Sequence, residues 1–363
     1  MNRDQTLDII KGIGIILMVV GHSGAPDYVH DIIYTFHMPL FFIASGWFFS
    51  ELNLEDSKGF AMRKIKSIYF PYWKWCVIFL LLHNVFYSLG IINSAYGASN
   101  GSVSHWYSLR ELVVHAADFT FRMNGYDGYF LGAYWFVRSL LWGSLLLCFF
   151  SAIVKKVAKL DNSTSIISVS IIFAILGGAI SLFNIHIPFW PQGGYREMMA
   201  VFFLGIGFML RKHKCWKSRY VLMGSVIVIP ASLLIEPTKL GTSPTFVMWL
   251  LIPFTGFSGY ALVYKLSNEI AKRDGILAAC LSYIGQKTFY IMTFHFLMFK
   301  PASLLYTHIY DLDWKMIGCH PVIPIDCNNW YWIVYTLTSF IFSIGVARII
   351  ETIPSPKLNI IRR

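Results

Sequence analysis

The chain has 363 residues, of which 56% are hydrophobic, 17% aromatic and only 13% charged, with a mean hydropathy of +0.56. Soluble globular chains carry roughly twice that share of charged residues, so the composition excludes a soluble enzyme and points to a polytopic membrane protein. The formal net charge of +11 includes no basic run interleaved with aromatics, and nucleic-acid binding is not expected.

Ten apolar stretches come near the length that crosses about 30 Å of hydrocarbon: 7–24, 31–50, 67–92, 131–154, 164–184, 195–210, 220–236, 246–264, 281–306 and 330–347. The expected fold is all-α, a polytopic transmembrane helical bundle of about ten spans, built as a single integral domain over residues 1–363. Basic residues sort onto alternate connections. Twenty lie on segments that are inner when the N-terminus is inside, and four (Arg110, Arg122, Lys239 and Lys315) lie on the outer ones. Both termini are therefore expected in the cytoplasm. The first stretch lacks a small-residue cleavage pattern, so no removable signal peptide is expected.

Within the first span, Lys11 and His22 are eleven positions apart. A helix turning about 100° per residue returns them to within roughly 20° of one face, about 16 Å apart along its axis. Two ionisable groups on one stripe of a membrane helix make a site hypothesis, although Lys11 could instead snorkel and His22 could be a satisfied polar residue near a helix end. Asp8 is placed either to pair with Lys11 or to favour the helix start by its charge. In the second span His37 precedes Met38-Pro39, and Ser45-Gly46 reads as close helix packing, because no Gly-x-Ser-x-Gly elbow surrounds the serine.

The longest polar interruption runs over 93–130 and contains an amphipathic piece, 106–121, expected along the membrane surface. Arg138 lies about two turns into the fourth span, too deep to snorkel easily. Arg196 reads as an interfacial anchor, and Lys74, Lys287 and Lys300 as snorkellers. His295, in the middle of the ninth span, reads by burial alone as a hydrogen-bonded structural histidine. Among the 6 cysteines only Cys319 and Cys327 share an outer loop, where an oxidising compartment would let them pair. No Cys and His spacing resembles a metal site, and none is expected.

Leu7-Asp8-Ile9-Ile10-Lys11-Gly12, then Gly21-His22, then Phe36-His37-Met38-Pro39-Leu40-Phe41-Phe42-Ile43-Ala44-Ser45-Gly46 resembles the signature of the acyltransferase-3 family, membrane O-acyltransferases acting on envelope carbohydrates. Arg63-Lys64-Ile65-Lys66 leading to Pro71-Tyr72-Trp73, then Tyr134-Trp135-Phe136, then Ser282-Tyr283-Ile284-Gly285 through Thr288 to His295 are similar to later blocks of that family. The family commonly has arginine where Lys11 stands. Lysine keeps the charge and loses the planar fork, and the branch that looks like fucose 4-O-acetylases tolerates it.

The resemblance implies an O-acyltransferase, an O-acetyltransferase in the first instance, in the bacterial inner membrane. It would use cytoplasmic acetyl-coenzyme A or another acyl-coenzyme A as co-substrate, with no bound cofactor, and a glycan or lipid-linked sugar as acceptor. His22 would be the base that takes the hydroxyl proton, or would itself carry the acyl group. Lys11, oriented by Asp8, would serve the donor end. Arg63, Lys64 and Lys66 would meet coenzyme A phosphates, although the positive-inside rule explains the same residues. His37, Trp135 and Arg138 would meet the acceptor, with Ser45 and His295 in support. An exporter or flippase of lipid-linked glycans would need a similar apolar bundle and remains the alternative.

Overall fold

Asp4 caps the first helix: its carboxylate accepts the amides of Thr6 and Leu7 at 3.0 and 3.3 Å, and the chain then runs as α1, Gln5–His22. The computed structural model describes residues 4–98, 101–185, 187, 190–241, 244–324 and 330–353. Among these the regular structure is helical, with two isolated bridges, Gly97 to Val103 and Ala98 to His320. Cys327 lies outside the described residues, and with it the proposed pairing to Cys319.

Six helices among the described residues are long and apolar enough to cross a membrane: Gln5–His22, Ser57–Ser88, Gly132–Ala158, Asn162–Phe183, Phe246–Arg273 and Tyr331–Thr352. Arg219–Ile235 and Ile276–Gln286 are apolar but shorter. Several of the ten expected stretches are built otherwise. The stretch 31–50 is two short helices, α2 (Asp27–Tyr34) and α3 (His37–Gly46), broken at Thr35 and Phe36. Pro39 favours the restart, since it has no N–H to donate and is accommodated without loss of a hydrogen bond in the first turn of a helix.

The third stretch begins earlier than its apolar run. It comprises α4 (Ser57–Lys64), a π turn (Ile65–Tyr69) and α5 (Phe70–Ser88), with Pro71 in the first turn of α5. The polar interruption holds α6 (Leu109–Arg122), started by a capping box between Ser108 and Glu111. α6 and its approach are bonded to α5 and to the π turn before it. Tyr69 donates to the Thr120 carbonyl at 2.6 Å, and Asn84 exchanges hydrogen bonds with Tyr107 at 2.9 and 2.8 Å. Its neighbour Asp127 accepts the Tyr129 amide at 2.8 Å, and burial raises its carboxyl above the usual range.

After α7 (Trp135–Ala158) and α8 (Asn162–Phe183), α9 (Tyr195–Lys212) runs through the middle of the bundle, buried among α3, α7 and α8. Then come α10 (Arg219–Ile235) and α11 (Phe246–Arg273). The stretch expected as one span over 281–306 is α12 (Ile276–Gln286), α13 (Thr288–Phe294), a 3-10 turn (Leu297–Phe299) and α14 (Lys300–Ile309), with Pro301 in the first turn of α14. The last helix is α15 (Tyr331–Thr352).

Arg138 on α7 and Glu197 on α9 form a fully buried ion pair, with Arg138 Nε 2.9 Å from Glu197 Oε1 and Ser139 Oγ donating to the same oxygen at 2.8 Å. These bonds fasten the starts of two adjacent helices together.

α1 and α12 cross with their backbones in contact. A Cβ on Gly12 would fall inside the Leu281 carbonyl, and one on Gly285 inside the Asp8 carbonyl. Further along, His22 meets His295, so the two segments run in the same direction from that crossing. Only glycine permits this approach. Gly285→Val is therefore expected to push α12 off α1, lowering the melting temperature of the purified protein and abolishing its activity. A variant that melts and acts as wild type would show that the crossing is not structurally required.

Candidate active site

Lys11, Ile15, Met18 and His22 follow one another at helical spacing along α1 and line a single cavity of about 710 Å³. Tyr34, His37, Phe41 and Ser45 form a second wall from α2 and α3. The third is Trp135 and Phe136 from α7. Thr288, Phe289 and Met292 come from α13, and Ser67 and Ile68 from the π turn. The broken helices thus supply much of the wall, and the π turn, an irregularity often found at functional sites, turns two residues into the cavity.

At one end the Lys11 ammonium lies 2.7 Å from Asp8, whose side chain is nearly buried while that of Lys11 is 28% exposed. The pair holds the amine on the cavity wall in place of letting it snorkel away. At the other end His22 is half-buried, and its Nδ1 lies 3.2 Å from the Tyr34 hydroxyl. Tyr34 stacks on His30 with ring centroids 3.9 Å apart and lies 4.8 Å from the His37 ring, so the phenol is fixed from both sides. His37 donates from Nδ1 to the Ile33 carbonyl at 2.9 Å. Because a carbonyl can only accept, the neutral ring keeps its lone pair on Nε2.

His295 follows the same logic but sits outside the cavity lining. Its Nδ1 donates to the Met292 carbonyl at 2.8 Å, its Nε2 is buried with no partner among the described residues, and its ring packs 5.5 Å from that of His22. It backs His22 from behind.

The remaining expected site residues are placed differently. Arg138, expected to meet the acceptor, is not among the residues that line the cavity; it forms the buried ion pair with Glu197 between α7 and α9. Arg63, Lys64 and Lys66 also do not line it. Arg63 is exposed and pairs with Asp56 at 3.2 Å, and Lys64 lies over the Phe60 ring. Trp135 does line the cavity, and the Arg196 guanidinium lies 3.8 Å from its ring centroid.

Three lining residues escaped the sequence reading. Tyr34 is three residues before His37, a helical spacing obscured by the break between α2 and α3. Arg196 read as an interfacial anchor, and Lys239 as one of four outer-loop charges, yet both face the cavity. Among the described residues no group of three or more His, Cys, Asp or Glu side chains could hold a metal ion.

The arrangement offers one end with a cation held by a carboxylate, another with an imidazole oriented by a phenol, and an apolar passage between them. The family model described as an acyltransferase domain, that of the acyltransferase-3 family, matches residues 4–349. The chain belongs to the acyltransferase-3 family. No curated protein and no solved structure matches it. Membership gives the helical bundle a general activity, membrane acyl transfer.

Proposed function

We propose that this acyltransferase moves an acetyl group from acetyl-coenzyme A to a sugar hydroxyl of an envelope glycan or its lipid-linked precursor, at the bacterial inner membrane. The observation that carries the reading is that Lys11 and His22 line one cavity from α1, about 16 Å apart along the helix; we assign the cation to the donor and the imidazole to the acceptor. The basic-residue bias puts the Lys11 end at the cytoplasm, where acyl-coenzyme A is made, and the His22 end outside.

In this reading the acceptor hydroxyl approaches His22, which removes its proton as the oxygen attacks the thioester carbonyl. The carbon–sulfur bond breaks, the new ester carries the acyl group, and the proton passes from imidazolium to the departing coenzyme A thiolate. In this reading Nδ1–H of His22 donates to the Tyr34 hydroxyl oxygen, which orients the ring and leaves the Nε2 lone pair to take the proton. Lys11 meets negative charge on the donor, its position fixed by Asp8.

The test uses the purified protein in liposomes with radiolabelled acetyl-coenzyme A and an envelope glycan fraction. Label appearing on the glycan supports the reading. Glycan crossing the bilayer with no acetyl-coenzyme A turnover would replace it with the export reading. Lys11→Ala is expected to weaken acetyl-coenzyme A binding by about 2 kcal/mol or more, and Lys11→Arg to keep most of it because the charge is retained. Calorimetry checks both. Equal affinity in all three proteins would remove Lys11 from the donor site.

A further inference from the structure

A second cluster of titratable side chains lies between α5 and α6, and none of its members lines the cavity of His22. His83 of α5, Tyr107 of the approach to α6 and His115 of α6 stack in that order, with ring centroids 3.5 and 4.8 Å apart. His83 and Asp127 both line a small cavity of about 10 Å³ there, together with Cys76, Tyr107 and His115. That volume suits one water at most. His83 is buried, and its Nδ1 and the Oδ2 of Asp127 are both sealed from solvent with no partner among the described residues.

The bonds around these two atoms fix what each can do. His83 Nε2 donates to the His105 carbonyl at 3.0 Å, so a neutral ring carries its lone pair on Nδ1. Asp127 Oδ1 accepts the Tyr129 and Phe130 amides at 2.8 and 3.4 Å, which leaves Oδ2 for the cavity. An ionised Asp127 beside a neutral His83 would set two bare acceptors and a buried charge against each other, a costly arrangement. One proton shared by Nδ1 and Oδ2, directly or through a water, satisfies both. Burial raises the Asp127 carboxyl above the usual range, in keeping with a proton held there.

Asp127 also starts the turns that lead to the active site. Its carbonyl accepts the Leu131 amide at 2.8 Å, and the Leu131 carbonyl accepts the Tyr134 amide at 2.9 Å. Ala133 and Trp135, on either side of Tyr134, line the cavity of His22. We propose that His83 and Asp127 are positioning residues for acyl transfer: they share one proton, and that proton docks the 127–135 segment so that Ala133 and Trp135 stand in the active-site wall.

In a released segment, ordinary pKa values of about 3.9 for Asp and 6.5 for His leave neither group protonated above about pH 6.5, whereas the docked pair holds one proton. Docking therefore takes up a proton in that range and weakens by up to about ten-fold per pH unit as the pH rises. The other titratable groups facing the pair are Cys76 from α5, His115 from α6 and Tyr107, with His105 held by Glu111 at 2.8 Å beside them. His115 and His105 titrate in the same range and serve as controls.

The test follows backbone hydrogen exchange of the purified protein between pH 6.5 and 8.5, corrected for the intrinsic rate. Protection of the Tyr129, Phe130, Leu131 and Tyr134 amides should fall at least about ten-fold in wild type. In Asp127→Asn the side-chain oxygen still accepts the two amides and the NH2 donates to His83 Nδ1 at any pH, so protection should stay flat. His105→Gln and His115→Gln should behave as wild type. Wild-type protection that does not change with pH, or an Asp127→Asn protein that loses protection as wild type does, would overturn the proposal. So would a pH dependence abolished by either histidine control.

A second arm, resting on the proposed reaction, measures transfer from labelled acetyl-coenzyme A to the envelope glycan fraction. Asp127→Ala should lower transfer at least about ten-fold, and Asp127→Asn should hold it within about two-fold of wild type. Wild-type transfer by Asp127→Ala would remove the positioning role. No transfer by any of the proteins would overturn the proposed reaction instead, and the exchange profiles would still decide whether the pair holds the proton.

Discussion

His22→Ala is expected to lower acyl transfer by about 10² to 10⁴-fold, the range that a general base contributes, while the helical bundle stays folded. The imidazole ends α1, is half-buried, and makes no ion pair among the described residues. Its removal costs the Tyr34 hydroxyl one partner in a cavity roomy enough for water to replace it. Packing against His295 and Phe296 is lost on one side only. Single-turnover transfer measured beside a thermal melt separates chemistry from folding, and wild-type transfer by His22→Ala would remove the residue from the reaction. Tyr34→Phe should give a smaller loss, because the ring still stacks on His30 and only the group that orients the imidazole is gone.

The largest effect on stability is expected at the ion pair between α7 and α9. Arg138→Ala leaves Glu197 buried without its cation, which costs about 3 to 5 kcal/mol, and Glu197→Ala strands Arg138 in the same way. Replacing both partners with apolar residues, Arg138→Met together with Glu197→Leu, should recover much of that loss, since each charge then leaves along with its desolvation penalty. Thermal unfolding of the purified variants measures all three. An Arg138→Ala protein that melts like wild type but no longer transfers acyl groups would return Arg138 to direct substrate contact.

The helical class and the cavity-facing stripe of α1 were legible because each rests on a local regularity. Apolar run length gave the helices, and a 3.6-residue period put Lys11 and His22 on one face. Segment continuity was less so. Hydropathy reads 31–50 and 281–306 as unbroken because breaks at Phe36 and Lys287 change backbone direction without changing polarity. Pro39 and Pro301 were the available signals, each in the first turn of a restarted helix, two residues after the start of α3 and one after the start of α14.

Arg138 and Arg196 show the limit for single residues. Both are arginines near the start of an expected span, and depth alone favoured Arg138 as the functional one. Their roles depend on what faces them across the bundle, Glu197 for one and Trp135 with the cavity for the other. No pattern along the chain encodes that pairing. Glu197, next to Arg196 in sequence, was the missed hint, since an acid at the start of an apolar segment needs a partner.

The enclosure of α9 bears on how the protein is made. A segment carrying Arg196 and Glu197 near one end and Arg211 and Lys212 at the other is poorly suited to enter lipid alone, and it is not among the six helices apolar enough to do so. Its side chains are sheltered only once α3, α7 and α8 surround it. During synthesis α3, α7 and α8 all emerge before α9, so biogenesis has its natural checkpoint there. The nascent chain must assemble the neighbours first and receive α9 among them, and substitutions that delay this step would lower yield in the membrane before they alter any property of the finished enzyme.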